Sequence, residues 1–317
     1  MLIHNVSTAW FPNGKTSYNF VKLIVYFADQ TMQLSPELLA AYRAQTFRLS
    51  PAPRITTPEG ALEWVNERGF AYFWPIKGVT LPSLWVAAAG DRPVGAHHDD
   101  PGHITWGWKD AALGKRIWYY AKVLRRKATF ISLDVAPYFY ALSENYGSPE
   151  EDYLLAYEQG LLTLAAKQVY EALLKEGALH TIDLRKAARL TSKQSDVEFN
   201  RALEVLQADF KILPVGVAQA GSWNYAFIYD IAARHFPELP EKARGIGEAE
   251  AREKLTGLYF RSVGAAQHKD LVKLFGWGPE ITLRVVKRLM DGGKLIGSLT
   301  LTGQAGEWIA LPGLVAR

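Results

Sequence analysis

Residues 161–230 read LLTLAAKQVYEALLKEGALHTIDLRKAARLTSKQSDVEFNRALEVLQADFKILPVGVAQAGSWNYAFIYD. Apolar residues recur every three to four positions over the first part of this stretch, which predicts a helix that ends at Gly177. A short helix is predicted to begin at Thr181. A longer third helix is predicted to follow, with Ser195 or Asp196 as its N-cap.

The end of the same stretch predicts a two-stranded hairpin. Ile212–Val217 and Trp223–Tyr229 are rich in β-branched and aromatic residues and are separated by a turn at Gly221. Trp223-Asn224-Tyr225 would stand at its tip, either to touch a minor groove or to close the hairpin. Helix, short helix, longer helix and hairpin is the order of a winged helix-turn-helix. That fold most often places a helix in a DNA groove, although tandem copies also serve as architecture or protein contacts.

A second copy of this order is predicted further along the chain. Its three helices are Glu248–Val263, Lys269–Phe275 and Pro279–Asp291, and its wing is Leu295–Ser298 with Glu307–Leu311. Helices predicted before residue 90 indicate a third, degenerate copy. The predicted fold class is therefore α+β, mainly α, with tandem winged helix-turn-helix modules and an aromatic, basic β/α insert.

Composition shifts divide the chain into four parts. The acidic run 144–152 and the Pro/Gly-rich run 237–247 mark boundaries, which gives predicted domains 34–150, 151–236 and 237–317. Residues 1–33 are interpreted as an N-terminal extension. The hypothesis is that Met32 is the real start, in which case residues 1–31 are not native. The apolar run Tyr18–Ala28 is about half the length of a membrane span and contains a lysine, so no membrane partner is expected.

The composition excludes several classes of site. Among the 317 residues there is no cysteine, which rules out disulfides, thiolate zinc sites, iron–sulfur clusters and a cysteine nucleophile. This composition is compatible with a reducing compartment, and we expect a monomeric cytoplasmic protein that uses no cofactor or metal. The net charge of +4 is small, so an argument for nucleic-acid binding depends on where the charge lies.

Charge is concentrated in the segment Trp106–Lys127, which holds seven Lys or Arg residues and one Asp. Its local excess of positive charge exceeds the net charge of the whole chain, as phosphate neutralisation requires. Interleaved Trp and Tyr rings are suited to stacking on an unpaired base. The alternative is an amphipathic helix, predicted over about 109–126, with a solvated basic face and buried aromatic rings.

The predicted nucleic-acid contacts come from this segment and from the third helix of each copy. They are Trp106, Trp108, Lys109, Lys115, Arg116, Lys122, Arg125, Arg126, Lys127, Lys193, Asn200, Arg201, Arg284, Lys287 and Arg288.

A loop before this segment carries the candidate acid–base groups. It reads His97-His98-Asp99-Asp100 and also contains His103. Imidazole and carboxylate could bind a metal, face phosphate, act as acid and base, or simply form a polar loop. The candidate catalytic residues are His97, Asp99, Asp100 and Asp110, and no metal site is predicted.

The chain resembles the AlkZ/YcaQ-like superfamily, bacterial winged-helix DNA glycosylases that excise alkylated or crosslinked purines, and within it a divergent AlkZ-related branch. The likeness extends from about Leu34 to the C-terminus. It is carried by Pro82-Ser83-Leu84-Trp85, Thr105-Trp106-Gly107-Trp108-Lys109-Asp110, Trp118-Tyr119-Tyr120-Ala121-Lys122, Ala141-Leu142-Ser143, Glu151-Asp152-Tyr153, Leu206-Gln207-Ala208-Asp209-Phe210 and Val215-Gly216-Val217.

One departure from the family pattern limits what the resemblance implies. The glycosylases carry a Gly-Leu-Gln-x-Gln segment whose Gln pair positions the attacking water. The comparable segment here is Gly69-Phe70-Ala71-Tyr72-Phe73, with Ala71 and Phe73 in place of the two Gln residues. Neither side chain can hydrogen-bond a water.

The predicted function is therefore repair-linked DNA binding without the Gln-pair chemistry. One alternative is an active DNA glycosylase or nucleic-acid hydrolase that uses the 97–110 loop. The other is a regulator that binds a small ligand in an aromatic pocket built from Tyr72, Phe73, Trp74 and Trp85. A measurement of DNA binding at low salt separates the first two hypotheses from the third, because phosphate contacts contribute most to affinity at low salt.

Overall fold

A computed structural model describes residues 32–95, 97, 99–221 and 224–315. The expectations about residues 1–31, including the apolar run Tyr18–Ala28, lie outside the described residues. His98 and Trp223 lie outside them as well.

The N-terminal part begins with strand β1 (Gln33–Leu34) and two helices that start where the sequence predicts. Helix α1 spans Pro36–Phe47 and helix α2 spans Pro58–Arg68. The hydroxyl of Ser35 accepts a hydrogen bond from the Leu38 N–H at 3.2 Å, and Pro36 occupies the first turn. A side-chain cap and a proline together fix the helix start, because the first-turn N–H groups have no partner within the helix.

A small antiparallel sheet organises the rest of this part. Strand β2 (Phe70–Tyr72) precedes helices α3 (Leu84–Ala89) and α4 (Ile104–Ala112), and strands β3 (Tyr119–Ala121) and β4 (Thr129–Ile131) follow. The strand order is β2-β4-β3. The partner of β2 thus arrives more than fifty residues later, and the intervening residues form the aromatic, basic insert.

The prediction of a helix over about 109–126 is wrong. Helix α4 ends at Ala112, because Leu113 is extended and Gly114 has a φ of +80°. Tyr119 stacks on Phe210 on one face of β3, whereas Tyr120 packs on Phe130 on the other. Consecutive aromatic rings buried on opposite faces need the two-residue alternation of a strand, which a helix cannot supply.

The middle of the chain has the predicted order of elements. After helices α5 (Ala136–Tyr140) and α6 (Pro149–Glu158) come α7 (Leu164–Glu176), β5 (Leu179–His180), α8 (Thr181–Ala187) and α9 (Asp196–Ala208). Strands β6 (Ile212–Ala218) and β7 (Ala226–Ile231) form the hairpin, and the sheet order is β5-β7-β6. Leu173, Leu184, Phe199 and Leu206 from the three helices are buried together in one cluster.

The Pro/Gly-rich run 237–247, predicted as a linker, contains ordered structure. Helix α10 (Ala232–His235) leads into helix α11 (Leu239–Arg244), whose Leu239 and Ala243 are buried. They join the same apolar cluster as Tyr140 of α5. Burial of two apolar residues on one side of a single turn explains why this segment folds.

The C-terminal part repeats the helix–helix–helix–hairpin order. Helices α12 (Glu248–Val263), α13 (His268–Phe275) and α14 (Pro279–Asp291) are accompanied by β8 (Ala265–Ala266), β9 (Ile296–Leu301) and β10 (Gln304–Ala310). The sheet order is β1-β9-β10-β8. Strand β1 pairs in parallel with β9, so the beginning of the described chain is fastened to its C-terminal part.

One apolar cluster joins the three parts. It contains Tyr119 of the insert, Phe210 after α9, Phe139 of α5 and Leu255 of α12. The rings of Tyr119 and Phe210 are stacked with centroids 4.4 Å apart. The basic segments of the three parts are therefore held on a shared core. No helix in the described part of the chain is long and apolar enough to cross a membrane.

Candidate nucleic-acid interface

The structure divides the basic segment Trp106–Lys127 into a buried and an exposed set. Lys109 and Trp108 are buried, so they do not form part of a surface as predicted. Lys122 is partly exposed. The remaining predicted contacts in the segment are exposed, namely Trp106, Lys115, Arg116, Arg125, Arg126 and Lys127.

A strained turn presents two of the exposed arginines. Arg125 and Arg126 have φ angles of 53° and 55°, the left-handed region that non-glycine residues rarely occupy. The turn is held from behind, where the Leu124 N–H donates to the Thr129 hydroxyl at 3.3 Å and the Lys127 N–H donates to the Leu124 carbonyl at 3.0 Å. Strain of about 1–3 kcal/mol per residue persists only where neighbours enforce it, and such residues cluster at functional sites.

The insert meets the third helix of the middle part through an ion pair. Lys122 Nζ lies 2.9 Å from Glu204 Oε1 on α9. Glu204 follows Asn200 and Arg201 by four and three positions, so all three side chains share one face of the helix. Asn200 and Arg201 are exposed. Lys193 is also exposed, in the turn of 3-10 helix just before α9.

The same turn meets the C-terminal part at a narrow cleft of about 160 Å³. Arg125 and Trp277 both line it. The guanidinium of Arg252 lies 5.8 Å above the Trp277 ring. Arg252 in turn lines an open groove of about 550 Å³ with the exposed Arg284, Lys287 and Arg288 of α14.

These links run from α9 through the Arg125–Arg126 turn to α14, and we name the residues along them the basic strip. Its members are the linked residues and the exposed residues beside them on the same helix or turn, namely Asn200, Arg201, Lys122, Arg125, Arg126, Lys127, Arg252, Arg284, Lys287 and Arg288. Carboxylates reduce its positive charge at three points. Glu204 pairs with Lys122, Glu253 Oε1 lies 2.9 Å from Arg288 Nε, and Glu248 Oε2 lies 2.6 Å from Arg252 Nη1.

The 97–110 loop does not bring its candidate acid–base groups together. Asp100 pairs with Arg92 and accepts a hydrogen bond from the Gly102 N–H at 2.7 Å. The pKa of Asp100 is held well below its usual range, mainly by the hydrogen bond from Arg92 and then by the one from the Gly102 N–H. His97 and Asp99 are exposed, and His103 Nε2 lies 3.1 Å from the Gly95 carbonyl oxygen. In the described residues no three His, Asp or Glu side chains are arranged to hold a metal ion.

Asp110, the fourth candidate, lies in a different and buried cluster. Lys109 Nζ forms an ion pair with Asp110 Oδ1 and a 3.0 Å hydrogen bond with the Tyr225 hydroxyl. That hydroxyl donates to Asp110 Oδ1 at 2.9 Å. We call these three residues the Lys109 cluster. Tyr225 immediately precedes β7, so the cluster links the hairpin of the middle part to α4.

Five aromatic rings surround the ammonium of Lys109. The ring centroids lie 4.5–5.9 Å from Nζ. Burial lowers the pKa of Lys109, an effect that the hydrogen bond to Asp110 opposes. Burial also raises the pKa of Tyr225, and the nearby negative charge of Asp110 raises it further. The rings belong to Phe73, Trp106, Tyr120, Tyr225 and Phe227.

The inward-facing aromatic residues of the hairpin are functional candidates that the sequence alone did not predict. Tyr225, Phe227 and Tyr229 alternate along β7 and its approach, a pattern that indicates one inward face. The sequence predicts that Tyr225 stands at the hairpin tip, either to contact a minor groove or to close the hairpin. In the structure its hydroxyl donates a hydrogen bond to Asp110 Oδ1.

The positions that the family pattern assigns to the Gln pair are core positions in this chain. Ala71 and Phe73 are 0% and 2% exposed. The Phe73 ring packs against Trp106 with centroids 6.1 Å apart and lies 5.9 Å from Lys109 Nζ. The Lys109 cluster therefore adjoins Phe73, one of the two positions at which the resemblance leads us to expect a Gln.

The four aromatic residues predicted to line a ligand pocket are instead part of the core packing. Tyr72, Phe73 and Trp85 are buried, and Trp74 is partly exposed. Tyr72 lies on the opposite face of β2 from Phe73, where its hydroxyl is 3.4 Å from the Leu124 carbonyl and burial raises its pKa to about 12. The four rings thus do not enclose one pocket, because adjacent strand residues point to opposite faces.

Comparison with known families gives a match over most of the chain. The model of the family described as AlkZ related matches residues 55–276. The chain belongs to the AlkZ-related family. The match contains the basic insert, the Lys109 cluster and α9, and it ends before α14.

Comparison with solved structures gives a likeness of fold. The Streptomyces sahachiroi DNA glycosylase AlkZ is similar to this AlkZ-related protein with a TM-score of 0.52 and 14% identity. The alignment covers 89% of this chain and 71% of that chain. A comparison with curated proteins gave no match.

Proposed function

We propose that this AlkZ-related protein is a DNA-binding protein linked to DNA repair, and that the basic strip is its DNA-contacting surface. The observation that carries the proposal is the succession of links along the strip. These are the Lys122–Glu204 ion pair at α9, the cleft lined by Arg125 and Trp277, and the position of Arg252 over Trp277 beside α14. Each Lys or Arg that neutralises a phosphate releases counterions, so a continuous strip is worth more than scattered charges. The family membership and the fold shared with a DNA glycosylase support the same conclusion.

The helix–helix–helix–hairpin units support a finer proposal about geometry. We assign 151–236 and 237–317 as winged helix-turn-helix modules, with α9 and α14 as their third helices, and 34–150 as a degenerate module with the basic insert. A third helix usually enters a groove, and phosphate contacts from the flanking turn fix its register. We further propose that the protein is a monomer and that it acts in the cytoplasm. The absence of cysteine is compatible with such a reducing compartment.

A salt titration of binding tests the proposal. Fluorescence anisotropy on a labelled duplex, between about 50 mM and 200 mM salt, gives the slope of log affinity against log salt. The double variant Arg125→Gln/Arg126→Gln is expected to bind more weakly and to reduce that slope by roughly 2, because each phosphate contact contributes about 0.9.

The matched control removes the same amount of charge elsewhere. Lys175 and Arg244 are exposed and lie outside the strip. Lys175→Gln/Arg244→Gln is expected to leave the slope unchanged. If the wild-type chain shows no affinity at low salt, the proposed function is wrong. If both double variants lose equal affinity, net charge and not the strip accounts for binding.

A second candidate function rests on one observation at Asp110. Both hydrogen bonds to this carboxylate end on Oδ1, and within the described residues Oδ2 accepts none. A carboxylate oxygen with free lone pairs can hold a water or stabilise a cationic sugar-like transition state. Asp110 would thus take the role that the Gln pair has in the glycosylases.

Base release from alkylated DNA tests this second candidate. Wild-type protein is expected to release alkylated base, and Asp110→Asn is expected to abolish release while it retains DNA affinity. Asp100→Asn is the matched control, because Asp100 pairs with Arg92 away from the cluster. Release that survives in Asp110→Asn contradicts the assignment of Asp110.

A further inference from the structure

The Lys109 cluster contains an amine that the proposed DNA surface does not use. Two lysines in the described residues are almost fully buried, and their environments differ. Lys211 Nζ has three oxygen partners within 3.0 Å, namely Asp209, Asn145 and the Glu144 carbonyl. Among the described residues, the oxygen partners of Lys109 Nζ are the Asp110 carboxylate and the Tyr225 hydroxyl, and five aromatic rings lie around it.

The environment of Lys109 is of the kind that makes a lysine nucleophilic. Burial among rings disfavours its ammonium form, which lowers its pKa. The adjacent carboxylate can take the proton that the amine must lose before it attacks. A lysine that served only to hold the hairpin would gain more from a third oxygen partner, as Lys211 has.

We propose that Lys109 is an amine nucleophile for the aldehyde of abasic sites in DNA, and that the protein cleaves the strand there by β-elimination. The proposal rests on the proposed DNA binding and adds a substrate class to the same protein. An abasic sugar suits this chemistry because its ring-opened form carries an aldehyde, and because a nucleotide without a base is readily extruded from the helix.

The chemistry needs no oxidant, reductant or metal. The Lys109 amine attacks C1′ of the ring-opened sugar, and loss of one water gives a protonated imine, with the proton drawn from Asp110 or Tyr225. A base, for which Asp110 Oδ2 is placed, removes a C2′ proton. The C3′–O bond then breaks and the 3′ phosphate leaves with the electron pair. Water adds to the imine, which frees the lysine and leaves an unsaturated aldehyde on the 5′ fragment.

Access to the amine lies through Trp106. Its ring is 39% exposed and lies 4.9 Å from Lys109 Nζ, so it forms the outer wall of the cluster. In the proposal, displacement of this ring gives the abasic sugar access to the amine. The exposed ring is also suited to stacking on the base that neighbours the abasic sugar.

Reductive trapping of the full chain tests the proposal. The probe is a duplex with one abasic site, made by enzymatic removal of uracil and treated with cyanoborohydride. The expected result is a covalent protein–DNA adduct that peptide mass spectrometry locates at Lys109. Lys109→Arg is expected to abolish the adduct, since a guanidinium keeps the charge but does not form the imine. Lys175→Arg is the matched control and is expected to trap normally.

A second probe separates this proposal from the proposed function. A duplex with a tetrahydrofuran analogue has the same shape but lacks the aldehyde, so it reports DNA affinity alone. Binding to the analogue without any adduct overturns the nucleophile and leaves DNA binding intact. An adduct located at another lysine also overturns it, and this mapping on the wild-type chain holds even if Lys109→Arg does not fold. Absence of binding to both probes overturns the proposed function as well.

Discussion

Lys122 Nζ lies 2.9 Å from Glu204 Oε1, and this contact joins the basic insert to α9. Both side chains are about a third to a half exposed, so solvent screens the pair and its contribution to folding is below about 1 kcal/mol. Its main consequence is electrostatic, because a carboxylate in the basic strip repels phosphate and occupies Lys122.

We predict that Glu204→Gln strengthens DNA binding without a comparable change in stability. The substitution removes one negative charge from the strip and frees Lys122 for a phosphate contact. Anisotropy should show tighter binding and a steeper salt slope, while urea unfolding should change by less than about 1 kcal/mol. Glu241→Gln is the control, because Glu241 pairs with Arg244 outside the strip. Unchanged or weaker DNA binding in Glu204→Gln would argue against a role for α9.

The core that joins the three parts should be sensitive at Phe210. This ring stacks on Tyr119 at 4.4 Å and also contacts Phe139 and Tyr140. Phe210→Ala is expected to lower the free energy of unfolding by about 3–5 kcal/mol, through lost burial and a cavity. Leu164→Ala, at an exposed position, should change it by no more than about 0.5 kcal/mol. Similar losses in both variants, measured by urea unfolding, would contradict the shared core.

The Lys109 cluster should respond asymmetrically to the loss of either partner. Asp110→Asn leaves a buried ammonium without its counter-charge and is expected to destabilise by about 3 kcal/mol. Lys109→Met keeps the apolar stem in the ring cage and leaves Asp110, which reaches solvent at its edge, so its cost should be smaller. Chemical denaturation of both variants gives the comparison. A larger loss in Lys109→Met would show that the ammonium–ring contacts dominate.

The same cluster predicts a pH dependence of stability with a defined sign. The pKa of Lys109 is lowered in the folded chain from its ordinary value of 10.5. Between the folded pKa and 10.5 the unfolded chain binds more protons, so the free energy of unfolding rises with pH in that window. The difference in unfolding free energy between the wild type and Lys109→Met, measured in urea from neutral to alkaline pH, should show this rise. A wild-type stability that falls across the same window after subtraction of the Lys109→Met curve would contradict the burial cost.

Asp100 of the 97–110 loop predicts the same sign of pH dependence in the acidic range, where stability also rises with pH. The pKa of Asp100 is lowered from its ordinary value of 3.8, chiefly by the hydrogen bond from Arg92. Its contribution to stability is therefore present above 3.8 and is lost as the pH falls below that value toward the folded pKa. Carbon-detected NMR of the Asp100 carboxyl should show titration below 3.8, and Arg92→Gln should raise that pKa. An identical titration in both proteins would mean that the ion pair does not form.

Regular, capped helices are the features that the sequence predicts best. The predicted bounds of Glu248–Val263 and Pro279–Asp291 coincide with α12 and α14. Each has one apolar face, and glycine or proline marks its ends, so local rules agree with the tertiary packing. The family resemblance was also visible in the sequence, and the family match over residues 55–276 confirms the AlkZ-related branch.

The insert could not be predicted in the same way, because its aromatic residues serve two cores at once. Trp118-Tyr119-Tyr120 is compatible with a buried helix or strand until the positions of Phe130 and Phe210 are known. Lys109 has a charged side chain that ordinarily predicts a surface position. Its burial depends on Tyr225 and Phe227, more than a hundred residues away, and no local pattern encodes that encounter.

If the basic strip acts as one DNA-binding surface, duplex DNA should protect lysines at separate points of the strip from chemical acetylation. Lys127 of the insert and Lys287 of α14 are exposed at separate points of the strip, whereas Lys175 is 82% exposed outside it. Quantitative mass spectrometry should show that DNA protects Lys127 and Lys287 together at the same DNA concentration and leaves Lys175 unchanged. Protection of only one strip lysine, or equal protection of all three lysines, would show that the strip does not act as one DNA-binding surface.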